Sequence, residues 1–361
     1  MAIKSFLASL ISVVALFQAS QAGLIKRAAC PGTKRTTANA ACCSWFSVLD
    51  DLQANILLSE CGEGSHTALR LSFHDAIGFS KSSNVGGGAD GSLIAFGDTE
   101  LAFAANNGLE EIVDDLQGVA DAHGKSYGDI IQFAAAVGVA NCAGAPRLQF
   151  LAGRPNATAP AKDGTVPDPF QPVSTILARM ADGGFSPAEL VALLASHTIA
   201  AADEVDTTIP GTPFDSTADQ FDTQIFIETQ LRGTNGFPGT GPHQGEVESP
   251  LAGEMRLQSD HNLARDPATA CTWQSFANNH ALMSSSFAAA MKKLAVVGQN
   301  TRRLTDCSDV IPVPKGTSVT PHFPAGKTNA DIEQACSSAT FPQLPTLPGP
   351  AKSILPVPPG S

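Results

Sequence analysis

The chain has 361 residues and carries 34 acidic against 22 basic side chains, a net charge of −12. That length allows one large domain or two subdomains around a sizeable core. The acidic balance argues against a nucleic-acid surface, which needs clustered Lys and Arg to neutralise phosphates. No apolar run beyond the N-terminus reaches the ~20 residues of a membrane span.

In chain order, residues 1–22 join one Lys to an apolar stretch and small residues at Ser20 and Ala22, the pattern of a secretory signal. Residues 23–27 end in Lys26-Arg27 and read as a short propeptide with a dibasic processing site, so the expected destination is extracellular. All eight cysteines (Cys30, Cys42, Cys43, Cys61, Cys142, Cys271, Cys307 and Cys336) follow that cut. An even count in a secreted chain predicts four disulfides, although eight cysteines allow 105 pairings. Cys271 and Cys336 suggest a tail tied to the body. No CxxC pair supports a zinc site. The only glycosylation sequon is at Asn156, in a Pro-rich loop.

Most of the chain reads as helix. Apolar residues recur every three or four positions over 45–56 (Phe46, Leu49, Leu52, Ile56) and 109–119 (Leu109, Ile112, Val113, Leu116). Similar patterns predict helices over 173–180, 188–200 and 276–297, whereas strand-like alternation is nearly absent. The fold class is therefore all-α. Gly/Pro-rich loops at 80–92, 153–172, 205–220 and 233–250 are long enough to need internal fixing or a function. The last 17 residues hold six prolines and predict an extended tail.

Two segments carry chemistry. Arg70 and His74 lie four apart, on one face of a helix. Ser186-Pro187-Ala188-Glu189 is a capping box with proline at the first helical position. Eleven residues after the cap, His197 shares a stripe with Leu190, Leu193 and Leu194, which points it inward. A buried neutral His satisfies a hydrogen bond or serves as an axial iron ligand. Two such histidines on separate helices, one accompanied by Arg, fit a cofactor slot between helical layers.

The motifs LRLSFHDAIGF (69–79), GGGADGS (86–92), LLASHTIAAAD (193–203), PFDST (213–217) with FDTQ (221–224), LQSD (257–260) and DCSDVIP (306–312) stand in order. In these the chain resembles the secreted fungal haem peroxidases, which include the lignin, manganese and versatile enzymes, from about Cys30 to Pro359. The resemblance implies the helical haem peroxidase fold, two helical subdomains sandwiching haem b. The distal subdomain would span 28–170 and the proximal one 171–297, followed by a C-terminal extension and Pro-rich tail at 298–361.

It also implies roles. His197 would be the proximal iron ligand, its other nitrogen held by Asp260, a partner that raises imidazole basicity. His74 would take a proton from peroxide and return it to the leaving oxygen. Arg70 would stabilise the charge developing as the O–O bond breaks. Asn106 matches the residue that orients the distal His, and Phe73 the aromatic packed over the haem. Ala104 stands where the family has Pro, two residues before that Asn.

Two calcium ions are implied. Asp75, Gly88, Asp90 and Ser92 match the distal site. Thr198, Asp215, Thr217, Gln220 and Asp222 match the proximal one, Gln220 through its carbonyl. Hard oxygens in such loops, the distal one Gly-rich, suit Ca²⁺, which takes 6–8 of them.

Substrate class in this family follows two features. The manganese route uses two Glu and one Asp, and the matching positions are Glu63, Thr67 and Asp203. Glu63, Thr67, Arg70 and His74 form one helical stripe, so the location is kept while one carboxylate has become a hydroxyl. Mn²⁺ as a substrate should bind more weakly there. The tryptophan relay position is Ala192, about 140° around the helix from His197 and free to face outward, and alanine carries no radical. The expected function is therefore peroxide-driven oxidation of phenols and small aromatic reductants at the exposed haem edge, by a monomer with neither nucleic-acid nor membrane partners. A weakened manganese peroxidase is the runner-up. A calcium-binding scaffold without catalysis is the reading from another class, opposed by the intact Arg70, His74, His197 and Asp260. No HExxH motif supports a zinc hydrolase.

Composition adds one expectation. With 19 Phe, 2 Trp and 1 Tyr, the chain is poor in easily oxidised side chains, as protection from its own oxidant would require.

Overall fold

The computed structural model describes residues 27–358, apart from 84 and 318. The expected signal at 1–22 and all of the 23–27 segment except Arg27 lie outside the described residues. Among the described residues, twelve α-helices carry the structure. The first half holds α1 (Trp45–Asn55), α2 (Glu63–Ile77), α3 (Ser92–Ala95), α4 (Gly97–Glu100), α5 (Glu110–His123) and α6 (Tyr127–Asn141). The second half holds α7 (Val173–Gly183), α8 (Pro187–Leu193), α9 (Gln224–Glu228), α10 (Gln258–Leu263), α11 (Ala270–Phe276) and α12 (His280–Leu294). Strands among the described residues are two residues long and pair into four small antiparallel sheets. No helix among them is long and apolar enough to cross a membrane.

Two expected helices are broken. The segment expected as one helix over 188–200 is α8 followed by a 3-10 turn over Leu194–Ile199. The one expected over 276–297 is α12 for most of its length, but Phe276 belongs to the end of α11, and α12 begins only where the Asn279 side chain accepts from the Leu282 amide at 3.0 Å. A third helix escaped periodicity altogether. Every residue of α6 from Gly128 to Ala140 is buried, so no polar face marks its turns.

The helix α6 is the floor on which α2 lies, the most extensive helix pairing among the described residues. Gly138 makes that approach possible, because a Cβ there would sit 3.0 Å from Ser65 Cα of α2. The Cys61–Cys142 disulfide ties the start of α2 to the end of α6. The other three pair Cys30 with Cys43, Cys42 with Cys307, and Cys271 with Cys336. The last of these fixes the C-terminal extension to α11, as the cysteine positions suggested.

The capping box opens α8 as expected: Ser186 Oγ accepts from the Glu189 amide at 3.2 Å, and Glu189 Oε2 accepts from the Ser186 amide at 2.8 Å. Lys293 of α12 donates to the same Glu189 at 2.7 Å, binding the two helices together. The tail runs extended over the second half. Its Ile354 and Val357 amides donate to the carbonyls of Ala252 and Gly211, each at 2.8 Å.

Candidate active site

Between α2 on one side and α7, α8 and α12 on the other lies a cavity of about 630 Å³, within the ~300–1,000 Å³ range of cofactor pockets. Arg70, Phe73 and His74 line it from α2, and His197 lines it from the 3-10 turn after α8. Leu190, Leu193, Leu194, Met180, Met291 and Leu294 supply apolar wall.

The α2 side is a continuous helical stripe. His74 Nδ1 lies 2.8 Å from Asn106 Oδ1, and Asn106 Nδ2 donates to the Glu100 carbonyl at 2.8 Å. That second bond fixes the amide, so Nδ1 carries the proton and Nε2 keeps its lone pair. Burial, reinforced by the Arg70 charge and opposed by the Asn106 hydrogen bond, pushes the His74 pKa down to about 3. Arg70 is anchored by donating to the Ala105 and Asn107 carbonyls at 3.1 and 2.9 Å. The short turn Ala104–Asn106 forms with alanine at its first position.

On the other side, His197 Nδ1 lies 2.6 Å from Asp260 Oδ2, which α10 brings from 63 residues away. Burial lowers the pKa of His197, but the Asp260 charge and hydrogen bond outweigh it and the net shift is upward. The His197 side chain is 24% exposed and its Asp260 partner 2%, because the imidazole faces the cavity while the carboxylate sits behind it. An imidazole with one nitrogen committed to a carboxylate and the other turned to an apolar cavity suits an axial metal ligand. The donor set therefore fits haem.

Glu63, Thr67 and Asp203 reach the same cavity. Burial raises Glu63 to a pKa of about 7, helped by the charge of Asp203 and countered by Arg70. Thr67 spends its hydroxyl proton on the Glu63 carbonyl at 2.9 Å. Asp203 Oδ1 accepts from the Gly211 amide at 2.8 Å, and the Gly211 carbonyl holds the tail at Val357. Val357 of the tail thus lies one peptide away from this acidic corner.

The two acidic loops are preorganised. Asp75 Oδ2 accepts from the Gly91 amide at 3.0 Å, and Asp90 Oδ1 from the Ser92 amide at 3.2 Å. Burial and the Asp90 charge hold the Asp75 pKa well above the carboxylate range, and burial puts Asp90 at about 6. Gly88 adopts φ +79° against the Val297 carbonyl, a position only glycine fills easily. In the second loop Thr198 Oγ1 donates to Asp215 Oδ2 at 2.5 Å, and Thr217 Oγ1 to Asp222 Oδ1 at 3.1 Å. Asp215 is raised by burial and by Asp222, and burial drives Asp222 to about 7. Among the described residues no Lys or Arg side chain pairs with Asp75, Asp90, Asp215 or Asp222. Asp222 Oδ2 is buried without a partner. Oxygen-only sets of this kind suit Ca²⁺. The Gln220 amide donates to the Thr217 carbonyl at 2.8 Å, which turns the chain between Thr217 and Asp222.

One correction concerns α8. Ala192 is 3% exposed and does not face outward, because α7, α11 and α12 all pack on its short helix. Helical angle alone says nothing of such neighbours. Sequence reasoning also passed over Glu204, whose charge is the largest acting on Arg70, and Phe170 and Gln244, which line the cavity from the long loops. The tandem Asp203-Glu204 was the available signal for the first.

Compared with known proteins, the chain matches the family model described as Peroxidase over residues 48–279, and the Fungal peroxidase extension region over 282–359. It is 55% identical to Manganese peroxidase 3 of Phlebia radiata over 357 residues, covering 97% of this chain and 98% of that protein. Identity to Versatile peroxidase VPS1 of Pleurotus eryngii is 54%, covering 99% of this chain and 98% of that one. Identity to Ligninase H2 of Phanerodontia chrysosporium is 52%, covering 99% of each.

Proposed function

The chain belongs to the fungal haem peroxidases, hydrogen-peroxide-dependent oxidoreductases, and we propose that it is a secreted enzyme that oxidises phenols and lignin-related aromatics by one-electron steps at the exposed haem edge. The observation that carries this reading is the pair of cavity histidines, each fixed through Nδ1, one by Asn106 and one by Asp260. Membership sets aside the non-catalytic scaffold.

His197 would hold the iron through Nε2, with Asp260 raising its basicity and fixing its ring. Bound haem supplies an iron centre that takes two oxidising equivalents from peroxide and passes them on singly. His74 stays neutral at working pH, so its Nε2 accepts a proton from one peroxide oxygen and returns it to the oxygen that leaves. Asn106 keeps that tautomer in place. Arg70, already anchored by two carbonyls, presents its charge where the leaving oxygen becomes negative. Phe73 covers the cavity face beside His74. Two calcium ions, one on Asp75, Gly88, Asp90 and Ser92 and one on Thr198, Asp215, Thr217, Gln220 and Asp222, would brace the residues that directly follow His74 and His197.

Direct oxidation at the haem edge is favoured by what the chain lacks as a relay. Ala192 is a buried alanine, and Tyr127 donates to Asp121 at 3.1 Å, away from the cavity lining. The alternative is manganese oxidation, favoured by the mutual repulsion of Glu63 and Asp203 at one corner. Four disulfides support secretion.

Substrate profiling of the haem-loaded enzyme tests the reading with Mn²⁺, a phenol and a high-potential non-phenolic aromatic. Phenol turnover with Mn²⁺ oxidation far from saturation at micromolar concentration is expected. Saturable micromolar Mn²⁺ oxidation would replace this reading with the manganese one.

A further inference from the structure

Among the described residues outside the haem cavity and the two acidic loops, one cluster mixes ligand types. One ligand atom each from Asp206, His243 and Glu246 lies within 4.8 Å of the others. Asp206 and Glu246 are buried, while the His243 side chain is 31% exposed and gives access from solvent. We propose that these three residues form a binding site for a divalent transition-metal ion of the Zn²⁺ or Cu²⁺ class, which pins the 233–250 loop to the 205–220 loop at the rim of the haem cavity.

Each ligand is held in place. Asp206 Oδ1 accepts from the Thr208 amide and hydroxyl at 2.9 and 2.7 Å, and Oδ2 from the Gly241 amide at 3.0 Å. Those bonds orient the carboxylate and leave lone pairs for a metal. The 233–250 backbone lies against it so closely that a Cβ at Gly239 or Gly241 would run into the Asp206 carboxylate. The His243 ring is stacked on Phe237 at 3.9 Å between centroids, 18° between planes. His243 Nδ1 stands 3.1 Å from Glu246 Oε2. Metal–ligand bonds of about 2.0–2.1 Å in a tetrahedral site put neighbouring ligand atoms roughly 3.3 Å apart; His243 and Glu246 already stand close to that separation, and Asp206 lies within 4.8 Å of both.

An independent observation points to a ligand. Glu246 Oε1 is buried and has no hydrogen-bond partner. An ion pair with His243 uses only the other oxygen, whereas a metal ion can also engage Oε1 when the carboxylate binds through both oxygens. The imidazole sets the class of ion: Ca²⁺ and Mg²⁺ take oxygen, while imidazole with carboxylate suits Zn²⁺, Cu²⁺ and Ni²⁺. The site borders function, because Val205, Pro242 and Gln244, each next in sequence to a ligand or one residue on from it, line the haem cavity.

The test is calorimetric titration of the calcium-saturated, haem-loaded enzyme with ZnCl₂, paired with anomalous scattering from a zinc-soaked crystal. One equivalent should bind at micromolar concentration, with the anomalous peak between Asp206, His243 and Glu246. His243→Asn, at a partly exposed loop position, should weaken that event about tenfold or more. Glu63→Gln should leave it intact, which separates it from zinc held at the acidic corner. No binding to the wild type, equal binding by His243→Asn, or an anomalous peak elsewhere overturns the site.

Discussion

The two sides of the haem cavity are built on different plans. The distal side is one uninterrupted helix, α2, that carries Glu63, Thr67, Arg70 and His74 down a single stripe. The proximal side is a short helix that tightens into a 3-10 turn at His197 and borrows its Asp260 from 63 residues further on. A rigid helix sets the spacing of groups that must meet a small reactant together. A turn held by a distant carboxylate sets the orientation of one proposed ligand, His197. The distal side is therefore expected to govern the rate of peroxide cleavage, and the proximal side the state of the iron.

Mutations can break that division. The largest effect is expected from His197→Ala, which should lose the haem absorption band of the wild type in spectra of protein reconstituted with haem. Next come His74→Leu and Arg70→Leu, each lowering the rate of reaction with peroxide about 10²–10⁴-fold while haem stays bound. Asp260→Asn should cost about 10–100-fold and shift the spectrum, since it only reorients and weakens a ligand. Removing calcium with EDTA should loosen both sides at once, because the two acidic loops adjoin His74 and His197. An unchanged haem spectrum and activity after chelation would contradict both calcium assignments.

Smaller effects sharpen the comparison. The Thr67→Glu variant, which restores a third carboxylate on the distal stripe, should lower the apparent KM for Mn²⁺ on the order of tenfold and leave phenol oxidation near wild type. The distal side should also show its protonation state. Because burial and the Arg70 charge depress His74 to about 3, the neutral form persists through mildly acidic pH. The peroxide reaction should then fall only as pH drops through about 3, when the imidazole is protonated and cannot act as base. A loss centred near 6.5, the unperturbed value, would place His74 in water instead.

Legibility in the sequence followed the same line. The α2 stripe could be read from spacing, since a straight helix turns sequence distance into angle. The capping box likewise located α8 and, through it, His197. What periodicity missed was decided by packing from elsewhere. The helix α6 is buried all round and shows no polar face. The start of α12 is marked by one Asn279 cap, and Ala192 is buried in a helix on which three others pack. Individual site residues came from motif resemblance, and the partners that tune them, such as Glu204 beside Arg70, came only with the fold.

One measurement bears most directly on the account: stopped-flow mixing of haem-loaded His74→Leu and Asp260→Asn with hydrogen peroxide, following the Soret band. The expected result is a rate loss of about 10²-fold or more with an unmoved resting spectrum for His74→Leu, and a shifted resting spectrum with a smaller rate loss for Asp260→Asn. Equal rate losses, or a resting spectrum moved by the distal variant alone, would contradict it.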